Sequence, residues 1–169
     1  MITWVDTDYA GCPRTRRSTS GGMVAHGIHV VKSWSSTQKI IALSVGEVEY
    51  YGMVKGATMG IGIKSLLGDM GIDKRQVHVN VYTDSSTAKS IASRKGTGNA
   101  RHIEVCQLWI QQEVANHRIE IVKVKGYNNI ADILTKHIDN GTLTRHIGNI
   151  HADRRNDRHP LNPKKAKDE

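Results

Sequence analysis

Short runs of apolar residues, separated by turn-forming residues, predict β-strands at the start of the chain. The first run is "ITWV", and it stops at Asp6, where the turn-rich segment "DTDYAGCPRTRRSTSGG" begins. Two further runs lie on either side of Gly27 in "MVAHGIHVVKSW". Because glycine readily adopts the backbone conformation of a tight turn, these two runs are predicted to pair in an antiparallel meander.

A long helix is predicted from Ser44 to about Met70. Ser44 and Glu47 have the spacing of a capping box, in which the two side chains satisfy free N–H groups at the start of a helix. Gly71 is the predicted terminator, since glycine is common just beyond the last residue of a helix.

The rest of the chain predicts alternating strands and helices. In order these are a strand in "VHVNVYTD" (77–84), a short helix near 86–93, a helix in "HIEVCQLWIQQEVANH", a strand in "IEIVKVK" and a helix in "NIADILTKHI". The order βββ-α-β-α-α-β-α predicts an α/β fold with a mixed five-stranded sheet flanked by helices. Its later strands should run parallel to the first through helical crossovers.

Composition suggests a nucleic-acid partner and a tail. The 169 residues include 24 Lys and Arg against 16 Asp and Glu, which gives a formal net charge of +8. This favours a polyanion, although a solvated basic surface has the same composition. From Asp139 onward there are no aromatic and few aliphatic residues. We therefore predict one domain over residues 1–138 and a basic, mostly disordered tail over residues 139–169.

The two cysteines and the apolar runs indicate the cellular compartment in which the protein is expected. Cys12 and Cys106 are far apart and match no metal-binding spacing, so neither a disulfide framework nor a zinc site is expected. No apolar run approaches the roughly 18 residues of a membrane span, and the N-terminus lacks the apolar core of a signal peptide. The sequence predicts an intracellular protein, cytoplasmic or nuclear, that is not secreted and has no membrane partner.

Two aspartates each end a predicted strand. Asp6 follows "ITWV" and Asp84 closes "VHVNVYTD", and open α/β sheets bind ligands at the carboxyl ends of their strands. Two carboxylates side by side would favour a cation between them. Taken singly, each aspartate is more simply explained by a turn or, for Asp84, by a cap on the next helix.

The long helix begins with two glutamates that have different surroundings. Because a helix turns about 100° per residue, Glu47 and Glu49 point roughly 200° apart. Glu47 lies on the polar face and belongs to the cap, whereas Glu49 lies at the margin of an apolar face that must pack on the sheet. A buried acid is costly unless it is paired or bound to a metal. Asp132 in "IADIL" is a further candidate, or an ordinary acid at a helix N-terminus.

Several segments match a known family in order and at fitting separations. They are "WVDTDYAGCPRTRRSTSGG", "SWSSTQKIIALSVGEVEYYGMV", "VYTDSSTAKSIA", "RHIEV" and "NNIADILTKHI". Residues 2–138 thereby resemble the RNase H domain of Ty/copia-type retrotransposon Pol polyproteins. The resemblance implies an RNase H-like fold and a metal-dependent endoribonuclease that hydrolyses the RNA strand of RNA–DNA hybrids.

The same resemblance assigns four acids as catalytic and metal-binding. By motif they are Asp6, Glu49, Asp84 and Asp132, with Asp8 as a competitor of Asp6. We prefer Asp6 because it directly ends the apolar strand. Four converging carboxylates would take up protons unless divalent cations neutralised them, and oxygen ligands suit Mg²⁺ or Mn²⁺ rather than zinc. Two such ions, about 4 Å apart, are expected.

The expected partners are an RNA–DNA hybrid and the reverse transcriptase domain of the same type of polyprotein, with the chain itself a monomer. Arg14, Arg16 and Arg17 follow Asp6 and are candidate phosphate contacts, or part of a solvated turn. Arg101 in "RHIEV" and Lys125 in "VKGYNN" complete the candidate nucleic-acid-binding set.

Two other functions remain open. One is a decayed retrotransposon remnant that only binds nucleic acid, which is favoured by the many glycines of the long helix and by the absence of a reverse transcriptase segment before Met1. The other is a different RNase H-like nuclease or an integrase-type enzyme, which ranks last because such enzymes typically lack the "ADILTK" block.

Overall fold

A computed structural model describes residues 1–96, 98, 103 and 105–152. Its sheet has five strands, in the spatial order β3-β2-β1-β4-β5. The strands are β1 (Ile2–Asp8), β2 (Thr19–His26), β3 (His29–Thr37), β4 (Val79–Thr83) and β5 (Ile119–Lys123). The sheet is mixed, because β1, β2 and β3 pair antiparallel while β4 and β5 run parallel to β1. The predicted fold class is confirmed.

Helices pack against the sheet, and the first three of them lie in the segments that join β3 to β4 and β4 to β5. The α-helices are α1 (Val45–Asp69), α2 (Ser86–Ser93), α3 (Trp109–Ala115) and α4 (Asn140–Asn149). Short 3₁₀ turns occupy Lys74–Gln76, Val105–Gln107, Gly126–Asn128 and Ile130–Leu134. The ends of α1 match the sequence prediction, since the Ser44 side chain accepts a hydrogen bond from the Glu47 N–H group and Gly71 has a φ of +93°.

The core lies between the sheet and helices α1, α2 and α3. Val5 and Val81 on the central strands are buried against Tyr50 and Met53 of α1, and Ile110 of α3 closes the same cluster. Burying apolar surface of this kind is the main favourable contribution to folding. The long helix therefore lies directly across the middle of the sheet, where β1 and β4 are neighbours.

Glycines on one face of α1 permit this close approach. A Cβ atom at Gly56 would overlap Cγ1 of Val5, and one at Gly60 would lie 2.8 Å from Cγ1 of Val79. Gly62 is different, because no described atom outside its chain neighbours and the backbone of its own helix lies within 4 Å of its Cβ position. The glycines on the inward face thus have a packing role, which Gly62 lacks.

Alanine at these glycines should therefore have opposite effects. We expect Gly56→Ala to lower the free energy of unfolding by about 1–3 kcal/mol, since a buried β-strand valine must move. Gly62→Ala, the matched control in the same helix, should raise it by about 0.5–1 kcal/mol, because alanine has the better helix propensity. Urea denaturation measures both. Equal effects would contradict this packing.

Two predictions from the sequence are wrong, one about the end of a strand and one about the type of the last helix. The first strand does not end at Asp6. Its pairing with β4 ends at Trp4. Its pairing with β2 continues as far as Asp8, which lies opposite Thr19. The last segment of the predicted domain is a 3₁₀ turn rather than an α-helix. Asn129 fixes this turn, since its Nδ2 donates to the carbonyl oxygen of Val5 at 2.9 Å.

The predicted disordered tail also needs correction, because Asn140–Asn149 forms helix α4. Asp139 caps the helix, with its Oδ1 accepting a hydrogen bond from the Thr142 N–H group at 2.9 Å, and His146 is fully buried. Composition alone missed a helix that has a side-chain cap and one fully buried residue. Residues 153–169 lie outside the described residues, so the domain division at residue 138 stays a prediction.

Among the described residues, no helix is both long and apolar enough to cross a membrane.

Candidate active site

Three carboxylates from three different elements meet beside the central strand. Asp6 lies in β1, Glu49 in the second turn of α1, and Asp84 immediately after β4. One oxygen atom from each of the three lies within 4.8 Å of the other two. Asp6 and Glu49 are buried, and Asp84 is half-buried. Among the described residues this is the one group of three or more potential metal ligands at such distances.

The fold explains why these acids converge. β1 and β4 are parallel neighbours, so Asp6 and Asp84 lie toward the same end of the sheet, beyond the last β1–β4 pair. Gly52 brings α1 close to β1, since a Cβ atom there would overlap Cγ2 of Thr7. Glu49 lies one helical turn before Gly52, on the same face, and its side chain therefore lies over the sheet beside Asp6.

Burial makes the charged forms of two of these acids costly. Burial and, to a smaller extent, the charges of Asp6 and Asp84 together raise the pKa of Glu49 to about 8. Burial also raises the pKa of Asp6 to about 6, although a hydrogen bond from Thr135 opposes the shift. In the described part of the chain, Glu49 Oε2 is buried without a hydrogen-bond partner. The group therefore lacks enough positive charge of its own.

Asp132 lies next to this group but is joined to it through a lysine. Lys136 Nζ is 3.0 Å from Asp132 Oδ1 and 3.2 Å from Asp6 Oδ2. The hydroxyl group of Thr135, in the same segment, donates a hydrogen bond to Asp6 Oδ2. The two aspartates raise the pKa of Lys136 above its usual range despite the opposing effect of burial. Its ammonium group thus stays charged.

The donor set fits a divalent cation. Three carboxylates offer only hard oxygen ligands, which Mg²⁺ and Mn²⁺ prefer, and no described thiol or imidazole joins the group. A cation here would supply a partner for the orphaned Glu49 Oε2 and would remove the cost of ionising Asp6. The residues present are therefore suitable ligands.

Glu47 is also buried but has a separate structural role. Its carboxylate accepts hydrogen bonds from the Leu43 N–H group at 2.9 Å and from Ser44 Oγ at 3.1 Å. This arrangement satisfies polar groups at the start of α1, as the capping box predicts. The two glutamates therefore differ as the sequence analysis expected, since only Glu49 joins the carboxylate group.

Removing the Glu47 side chain should affect folding alone. We expect Glu47→Ala to lower the free energy of unfolding by about 1–2 kcal/mol, because the cap contacts are lost, and to leave the binding of divalent cations unchanged. Thermal denaturation with and without Mg²⁺ measures both quantities. A variant of normal stability that no longer responds to Mg²⁺ would instead place Glu47 in the metal site.

The predicted nucleic-acid-binding residues are only partly placed. Arg14, Arg16 and Arg17 are exposed in the loop between β1 and β2. Lys125 lies 5.8 Å from the ring centre of Tyr127, in a loop that approaches the acids, since a Cβ atom at Gly126 would be 3.2 Å from Asp84 Oδ2. The prediction for residue 101 lies outside the described residues. The proposed contacts of the placed residues stay predictions.

Three residues at the site were not predicted from the sequence. Lys136 and Thr135 contact Asp6, and Lys123 donates to the backbone carbonyl of Asp84. The spacing of Asp132 and Lys136 by four positions was a usable signal, because residues four apart lie on the same side of a helical segment. No local pattern pointed to the contact of either residue with Asp6, which is more than a hundred positions away.

Comparison with known proteins identifies relatives over most of the chain. No protein-family model matches. The Retrovirus-related Pol polyprotein from transposon TNT 1-94 of Nicotiana tabacum is 30% identical over 135 residues, which cover 79% of this chain and 10% of the relative. Those from transposons RE1 and RE2 of Arabidopsis thaliana are 30% and 32% identical over 138 residues, 80% of this chain and 9% of each relative. The chain is a relative of Ty/copia-type retrotransposon Pol polyproteins.

A similar solved structure identifies the fold. The N-terminal RNase H domain of a Mycobacterium tuberculosis protein, solved as a fusion with maltose-binding protein, has a TM-score of 0.50 at 19% identity, covering 87% of this chain and 95% of that domain. The fold is therefore RNase H-like, and the resemblance to the RNase H domain of the Pol polyproteins is confirmed. The chain spans only about a tenth of the length of its Pol relatives.

Proposed function

We propose that this chain is a ribonuclease H that hydrolyses the RNA strand of RNA–DNA hybrids during retrotransposon reverse transcription. The observation that carries the proposal is the meeting of Asp6, Glu49 and Asp84 in an RNase H-like fold. The similarity of this chain to Pol polyproteins also supports the proposal, because the matched proteins are described as retrovirus-related and come from transposons. The reverse transcriptase domain of the same type of polyprotein is the proposed protein partner.

The carboxylates would hold two Mg²⁺ or Mn²⁺ ions. Asp6, Glu49 and Asp84 form the proposed first site, and Asp6 with Asp132 forms the second. When bound, the two ions would activate a water on one side of the scissile phosphodiester and neutralise the leaving oxygen on the other. Thr135 orients Asp6 through its hydroxyl group, and the contact of Lys123 with the Asp84 backbone fixes that residue at the end of β4.

Recognition of the hybrid would rely on charge and shape. Arg14, Arg16, Arg17 and Lys125 lie in loops and are the proposed phosphate contacts, and the net charge of +8 favours a polyanion. Such contacts carry no base specificity. Selection for RNA would come from the 2′-hydroxyl groups in the wide, shallow minor groove.

A cleavage assay tests the proposal. The chain is incubated with an end-labelled RNA–DNA hybrid, and with DNA and RNA duplexes of the same sequence, in Mg²⁺ or Mn²⁺. We expect cleavage of the hybrid's RNA strand alone, with 5′-phosphate and 3′-hydroxyl products, and its arrest by EDTA. Salt-sensitive retention of the hybrid without cleavage would favour the nucleic-acid-binding remnant instead. Cleavage that persists in EDTA would exclude the metal-dependent chemistry.

A further inference from the structure

Lys136 lies between two of the four acids assigned by resemblance. Its Nζ atom is 3.3 Å from Asp6 Oδ1, 3.2 Å from Asp6 Oδ2 and 3.0 Å from Asp132 Oδ1. The Asp6 side chain is 1% exposed and that of Asp132 is 22% exposed. A single ammonium group therefore serves as the counter-ion of two carboxylates in the space that separates them.

Asp6 also belongs to a second group of acids. One oxygen of Asp6, one of Glu49 and one of Asp84 lie within 4.8 Å of one another. Glu49 Oε2 has no hydrogen-bond partner in the described part of the chain. The acids thus form two unequal groups that share Asp6, one with an orphaned oxygen and one already neutralised by Lys136.

We propose that Lys136 is a displaceable counter-ion, which holds Asp6 and Asp132 together until a second divalent cation replaces it. This inference rests on the proposed function. The first cation binds to Asp6, Glu49 and Asp84, of which Asp6 alone is in an ion pair with Lys136 among the described residues. Before Asp132 and Asp6 can share the second cation, the ammonium group of Lys136 must move out, because two cations cannot occupy one position.

The structure gives Lys136 a route out of the site. Its side chain is 42% exposed, so the ammonium group can turn into solvent by rotation of its own flexible stem. The ion pair between Lys136 and Asp132 is partly exposed, and ion pairs of this type contribute little to the stability of the fold. The two cations therefore bind in a fixed order, with the second weaker than the first.

Manganese titration of three proteins tests the order of binding. Isothermal calorimetry with Mn²⁺ counts the ions and gives their affinities, and electron paramagnetic resonance detects coupling between neighbouring Mn²⁺ ions. Wild type is compared with Lys136→Met and with Lys74→Met. Lys74 is a matched control, since its Nζ is 3.3 Å from Asp69 in a surface ion pair away from the acids. Neither readout depends on cleavage.

We expect Lys136→Met to bind the second Mn²⁺ about two- to fivefold more tightly, the range that corresponds to loss of one partly exposed ion pair. Lys74→Met should match wild type. Lys136→Arg, which keeps the charge, should restore weak second binding, and Lys136→Gln serves as a second neutral variant if the methionine variant does not fold. The Mn²⁺-free neutral variants should also melt at a lower temperature, because Asp6 and Asp132 then repel.

The other results separate this inference from the proposed function. If the wild type binds two ions but the neutral variants bind the second with unchanged or weaker affinity, the counter-ion role is wrong and the nuclease proposal stands. If the wild type binds no Mn²⁺ at all, both the metal site of the proposed function and this inference are overturned.

Discussion

Asp84→Asn should lower the rate of RNA-strand cleavage by more than a hundredfold. Replacing residues that merely orient metal ligands costs about 10- to 100-fold in affinity or activity, and loss of a ligand itself should cost more. Asparagine keeps the size of the side chain but removes the charge that a cation would bind. The measurement is the single-turnover rate on a labelled RNA–DNA hybrid in saturating Mg²⁺.

The fold should survive this substitution. Asp84 is half-buried at the end of β4, and Lys123 contacts its backbone carbonyl, a contact that the variant retains. Asp69→Asn is the matched control, because its side chain is exposed at the end of α1. It should cleave like wild type. An Asp84→Asn protein with full activity would remove Asp84 from the site, whereas loss of activity in both variants would indicate a general effect on folding.

The stability of the cation-free protein should fall as the pH rises from about 4.5 to about 8. Because burial raises the pKa of Glu49 from 4.5 to about 8, the folded protein keeps a proton that the unfolded chain has already released. This favours the folded state fully at low pH, and the advantage disappears as the pH rises through the folded pKa. The contribution of Glu49 is at most about 5 kcal/mol.

Glu49→Gln isolates this contribution. The variant cannot ionise, so its free energy of unfolding should exceed that of wild type at pH 8 and approach it near pH 4 in the absence of cations. Addition of Mg²⁺ should stabilise wild type at pH 8, with little effect at pH 5, where Glu49 is protonated, and should have far less effect on the variant. Urea denaturation at both pH values provides the test. Parallel pH curves for the two proteins would contradict the burial of an unpartnered Glu49.

The sequence predicted the parts of this site that depend on local patterns. Asp84 was found because it closes an alternating strand, and Glu49 because it lies on the inward face of a helix with a clear cap. The parallel direction of β4 and β5 relative to β1 followed from the crossover helices between the strands. In each case a periodicity within about 20 residues fixes the direction of the side chain.

Features that depend on contacts between residues far apart in the sequence were harder to predict. Asp6 was placed at the end of its strand, although pairing with Gly21 keeps it inside β1. Lys136 meets Asp6 in a segment that Asn129 ties to β1, a contact across 124 positions. Helix α4 was missed because its composition is polar and its one fully buried residue is a histidine, His146.

The central claim is that Asp6, Glu49 and Asp84 together bind a divalent cation. A crystal of the protein soaked in MnCl₂, with data collected near the manganese absorption edge, tests it directly. We predict an anomalous peak within about 2.5 Å of an oxygen from each of the three carboxylates, a distance typical of oxygen ligation. Absence of a peak from that position in fully soaked crystals, or a peak that contacts fewer than two of the three acids, would contradict the claim.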